Sequence, residues 1–122
     1  MIKTSAKLKM ETRLLELNQQ LLIILKKYRP AKIIIEELFF STNVKTAIMV
    51  GQARGAILLS CAQSGAPIIS VTPTALKAAL TGSGTASKSQ IQKMLPLLCD
   101  MDKPIIQDDT ADAIALAWYG CK

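Results

Sequence analysis

No histidine occurs anywhere in the 122 residues. Ser–His and Cys–His nucleophilic sites, and most zinc or copper chemistry, are thereby removed. Cysteine is scarce too: Cys61, Cys99 and Cys121 are far apart and odd in number, a pattern of reduced thiols and not of a disulfide framework or a zinc site. No run reaches the roughly 18 uninterrupted apolar residues that a membrane helix needs. The opening MIKTSAKLKM also lacks the apolar segment of a signal peptide, so the expectation is a cytoplasmic protein without a membrane partner. Internal repeats and low-complexity linkers are missing as well, and residues 1–122 read as a single domain with one core. Half of the residues are hydrophobic, which makes the chain globular.

The scarcest charge is negative. Between Leu38 and Cys99 there is no carboxylate, while Lys45, Arg54, Lys77, Lys88 and Lys93 lie in that stretch. The first 32 residues carry eight cations, from Lys3 to Lys32, against only Glu11 and Glu16. The remaining acids gather at Glu36-Glu37 and between Asp100 and Asp112. A basic surface with acids concentrated at two points resembles a polyanion-binding surface around a cation site.

Residues 11–29 place Leu14, Leu17, Leu21, Leu25 and Tyr28 at helical steps, with Pro30 as the stop. AKIIIEELFF (31–40) has the continuous apolar character of a strand buried in a parallel sheet. Asn43 is suited to cap a helix over 44–64 that Gly65 closes. PIISVT (67–72) reads as a second strand, followed by a short helix over 74–80 and the loop TGSGTAS. Ser87 with Gln90 forms a capping-box pattern opening a helix through about Cys99, in which Pro96 predicts a kink or an early stop. A last helix covers 109–119. This order is α/β, with parallel strands and right-handed crossovers. Two strands are few for a sheet buried on both faces, so further strands or a covering partner are expected.

Asp108 and Asp109 suit the start of the last helix, where carboxylates accept backbone N–H bonds and complement the dipole. Asp112 does not fit that role: it lies one turn after Asp109, on the same face and among alanines. Glu36 and Glu37 follow three isoleucines, so alternation sends one carboxylate to each face near the C-terminal end of a buried strand, where α/β folds collect ligands. Carboxylates crowded together repel unless a hard cation lies between them, and oxygen ligands suit Mg²⁺ or Mn²⁺. Such a site serves phosphoryl transfer.

Four stretches, IIIEELFF, GQARG (51–55), GSGTASKSQIQ (82–92) and DDTADAIALA (108–117), resemble in order and spacing the RuvC family of Holliday-junction resolvases. The resemblance implies a ribonuclease-H-like fold, a homodimer, and metal-dependent nicking of four-way junction DNA in recombination and repair, in company with a branch-migration helicase complex. By motif position it implies that Glu36, Asp109 and Asp112 hold metal and act in catalysis. Lys88 would touch DNA and assist the reaction, and Phe39 would insert at the junction's bases. The chain opens at a point resembling the end of that family's third strand, so the expected fold is N-terminally truncated, without the strand that bears the family's first catalytic aspartate. Where a histidine often follows the family's final helix, Trp118, Tyr119 and Gly120 stand.

Ala47, Gly51 and Gly55 lie four apart on one helical stripe. The stripe suits packing against the sheet, and the resemblance adds a dimer interface as its use. Arg54, Lys77 and Lys93 are candidates for DNA contact, Arg54 also for pairing with a carboxylate across the dimer. The loop TGSGTAS suits either a phosphate cradle with Lys88 or a flexible connector, and Phe39-Phe40 either the junction or the core. A non-catalytic DNA-binding or dimerisation module on the same scaffold is the alternative function, and a nuclease acting on RNA a third.

Overall fold

The structure, a computed structural model, describes residues 4–37, 43–99 and 108–121, with the side chains of 108 and 109 outside that description. Seven elements follow in the order α1 (Met10–Tyr28), β1 (Ile33–Glu36), α2 (Val44–Ser64), β2 (Ile68–Val71), α3 (Pro73–Thr81), α4 (Lys88–Leu98) and α5 (Asp108–Gly120). Among the described residues the sheet has two strands, β1 beside β2. The Ile33 N–H donates to the Pro67 carbonyl at 2.8 Å and the Glu37 N–H to the Val71 carbonyl at 2.7 Å. Residue numbers rise together along both strands, so the pair is parallel. No helix among the described residues is long and apolar enough to cross a membrane.

Two compact units make up the chain, the first from Met1–Ile33 with Phe39–Ile68, the second from Ile34–Leu38 with Ile69–Lys122. In the first, α1 and α2 pack along each other. Glu11 in the first turn of α1 and Lys26 and Lys27 in its last complement the helix dipole. The helix ends at Tyr28, and Arg29 closes it in the left-handed region at φ 44 with its N–H on the Leu25 carbonyl at 2.9 Å. Pro30 explains the change of conformation, because a residue before proline is kept out of the helical region. Asn43 caps α2, its side chain accepting from the Lys45 and Thr46 N–H groups, and Gly65 ends it at φ 81, a conformation that glycine adopts without strain. Leu25, Ser60 and Cys61 are buried here. The Asn18 amide bridges the two helices, donating to Ser60 Oγ at 2.7 Å and to Gln63 Oε1 at 3.1 Å, while Ser60 Oγ donates to the Ala56 carbonyl.

The second unit holds the larger core: Val71, Leu76, Leu80, Leu95, Ala111 and Ala115, with Ile34, Ile91, Ile114 and Leu116 packed against it. Its helices start where the side chains dictate. Thr72 accepts from the Ala75 N–H, with Pro73 next in line, where its missing N–H costs nothing. Ser87 and Gln90 form the reciprocal capping box. Pro96 does not stop α4 early. The helix runs on to Leu98 and the Cys99 N–H reaches the Leu95 carbonyl at 2.9 Å, so only the bond that Pro96 itself would have donated is lost, while Leu95 anchors the turn in the core.

At the far end of α5, a Cβ placed on Gly120 would lie 2.7 Å from Ile34 Cγ1 and 2.9 Å from its Cδ1. Glycine is therefore required there by close approach to β1. Gly120→Ala is expected to lower the thermal midpoint, although alanine is the better helix former. A raised midpoint would show that Ile34 can move aside.

Candidate functional site

Glu36 ends β1 and shares a strand face with Ile34, since side chains two apart point the same way. That face is covered by α5, as the contact of Gly120 with Ile34 shows. Asp112 lies earlier on α5, exposed and next to the buried Ala111. Lys77 lies on α3, next to the core residue Leu76. The three meet electrostatically. Burial pushes the Glu36 carboxyl above the usual carboxylate range, the negative charge of Asp112 pushes it further, and the cation of Lys77 pulls it back. Each is set by a neighbour that packs: Ile34 for Glu36, Ala111 for Asp112, Leu76 and Leu80 for Lys77.

The structure thus brings together Glu36, Asp112 and Lys77, of which the sequence placed the first two at a metal and the third only at DNA. The signal for Lys77 was the Leu76–Leu80 spacing, which fixes the face of α3 that turns inward and puts position 77 at its margin. Glu37 points to the other strand face. Among the described residues no group of three potential metal ligands occurs, and the Asp109 side chain lies outside them. Glu36 and Asp112 nevertheless fit a hard divalent cation: both are oxygen donors, and their mutual repulsion is what such an ion relieves.

Lys88 is the first residue of α4, directly after the Ser87 cap, and is exposed. Lys93 borders a groove of about 540 Å³ with Thr81, Ser83, Thr85 and Gln90. Arg54 lies half-buried on α2 in the first unit. Ala47 is half-buried, whereas Gly51 and Gly55 are exposed and a Cβ on either would meet nothing within 4 Å. Sequence reading missed their surroundings: Val44, Ile48 and Leu59 on the same helix are 76%, 58% and 56% exposed. At steps of four, three, four and four, positions 44, 48, 51, 55 and 59 form one apolar stripe with a bare middle. Phe39 lies outside the described residues.

Residues 1–119 match the family model of the crossover junction endodeoxyribonuclease RuvC. This chain belongs to the RuvC family. It is 47% identical over 116 residues to RuvC of Caldicellulosiruptor saccharolyticus, an alignment covering 95% of this chain and 70% of the relative. With RuvC of Thermosipho melanesiensis it shares 46% over 117 residues, 96% of this chain and 74% of the relative. The RuvC structure of Thermus thermophilus superposes with a TM-score of 0.82 at 29% identity, covering 98% of this chain and 75% of that one. A second structure, T. thermophilus RuvC in complex with Holliday junction substrate, gives 0.84 at 30%, covering 96% and 71%. The parallel α/β arrangement expected from the sequence is therefore that of RuvC, and the four motifs that suggested the family lie within the matched span.

Proposed function

We propose that this protein is a Holliday-junction resolving endonuclease, with Glu36, Asp109 and Asp112 holding Mg²⁺ or Mn²⁺. The observation that carries the reading is the convergence of Glu36, Asp112 and Lys77 in a chain matched to RuvC over residues 1–119. When bound, the cation supplies Lewis acidity and neutralises charge in phosphodiester hydrolysis. The protein's own groups do the rest. Glu36 is held on a strand backed by the core, so its carboxylate is presented in one orientation. Lys77 places a positive charge beside it, where a scissile phosphate would approach. Lys88 and Lys93 on α4 extend the cationic surface for the DNA backbone, Arg54 on α2 is a separate candidate for DNA contact, and Phe39 stacks at the branch point.

The test is a nicking assay on a four-way junction and a linear duplex with Mg²⁺. Metal-dependent nicking of the junction, with weaker binding to the duplex, is expected. Binding without cutting would make the protein a non-catalytic junction-binding module; equal affinity for junction and duplex would remove the resolvase reading.

The stripe on α2 is the proposed dimer surface, two copies crossing where Gly51 and Gly55 let backbones approach. Gly51→Leu is expected to convert the dimer to monomer in sedimentation velocity. The helix itself tolerates the change, because the space beside Gly51 is open within one chain. An unchanged sedimentation coefficient would take α2 out of the interface.

A further inference from the structure

Where the chain leaves α1 and α2, a groove of about 600 Å³ opens within the first unit. Leu22, Leu25 and Pro30 give it an apolar floor, and Lys26 and Arg29 line it with cations. Ser64, Gly65 and Ala66 bring the C-terminal end of α2 to the same groove. Two helix C-termini therefore face it, and each presents backbone carbonyls that have no partner within the helix.

Beyond the dipole of α1, no carboxylate lies near these cations along the chain. Residues 17–35 and the whole of α2 contain no Asp or Glu. Cations beside an apolar floor and carbonyl acceptors call for an occupant with carboxylates, an aliphatic side chain and N–H donors. A peptide has all three. A phosphodiester strand brings negative charge but no aliphatic group for the floor of Leu22, Leu25 and Pro30. Volume agrees, since this is the size at which grooves accept side chains. The groove also lies apart from the chemistry along the chain: Arg29 and Pro30 lead into the start of β1, whereas Glu36 ends it.

We propose that this groove docks an acidic segment of a partner protein, its carboxylates on Lys26 and Arg29 and an aliphatic side chain on the floor. The site is independent of DNA cutting. Phosphate recognition is the competing use of the same cations.

The experiment is fluorescence polarisation with a fluorescein-labelled synthetic peptide that alternates Asp and Glu with Leu, its Asn and Gln counterpart, and a labelled DNA duplex. The acidic peptide is expected to bind, with the neutral one weaker by about tenfold or more. Lys26→Gln with Arg29→Gln should weaken the acidic peptide by about the same factor and change duplex affinity less than about twofold. Ala66→Trp, which obstructs the groove and leaves both cations, should also block the peptide. Circular dichroism melts confirm that each variant is folded, and the Trp variant decides the matter if the double variant is not. Absence of binding by the acidic peptide at about millimolar concentration, equal binding of the neutral one, or parallel loss of peptide and duplex binding would overturn the proposal.

Discussion

Glu36→Gln is expected to reduce metal-dependent junction cutting by about a hundredfold or more while leaving junction binding in place, because the change removes a charged ligand yet keeps the shape of the strand end. The same substitution should stabilise the metal-free protein at neutral pH. The Glu36 carboxyl is raised from an ordinary value of 4.5, so folding disfavours its ionised form. Below the ordinary value the group is neutral in both states and costs nothing. As pH climbs through the ordinary value toward the raised one, the unfolded chain ionises first and stability is lost. The native protein should therefore melt progressively below the Gln variant across that window, and Mg²⁺ should restore part of the difference only in the native protein. Asp112→Asn should lower the Glu36 titration and Lys77→Gln raise it, following the signs of their charges. Melting curves at several pH values, with chelator and with Mg²⁺, together with a nicking gel, check all of this. Cutting by the Gln variant at the native rate would remove Glu36 from the site.

Leu95→Ala carries the other large expected effect. Leu95 is 0% exposed, the hub on which α4 meets the core. Truncating such a side chain costs about 2–5 kcal/mol, from lost burial and from the cavity left behind. Whole domains are stable by only about 5–15 kcal/mol, so a substantial unfolded fraction is expected at 37 °C. Leu95→Met, close in volume, should cost less than about 1.5 kcal/mol. Urea titration followed by circular dichroism measures both. A midpoint unmoved by the Ala change would mean that the surroundings collapse into the gap.

Local signals made most elements readable. Asn43 and Gly65 bracket α2 at the residues observed, and Ser87 with Gln90 opens α4 by the expected capping box. These are short-range bonds that a sequence states outright. Arg29 in the left-handed region was not readable, and neither was whether Pro96 cuts short the helix expected through Cys99, because each depends on what the neighbouring backbone can do once a proline is in place. At the site, Glu36 and Asp112 were legible as charge against an apolar pattern. The place of Lys77 beside them follows from how α3 seats Leu76 and Leu80 in the core, a tertiary fact. The exposed flank Val44, Ile48 and Leu59 was hidden for the same reason: apolar residues on a helix read as core until the packing shows which face is covered.

The Asn18 bridge constrains how the packed pair α1 and α2 can diverge. Ser60 is fully enclosed, and its hydroxyl both accepts from Asn18 and donates to the Ala56 carbonyl. Changing Asn18 alone takes a donor from an enclosed hydroxyl, which keeps its own bond to Ala56, whereas changing Ser60 to alanine leaves the half-buried Asn18 amide on Gln63 Oε1. Loss of Ser60 should consequently come before loss of Asn18 in a lineage.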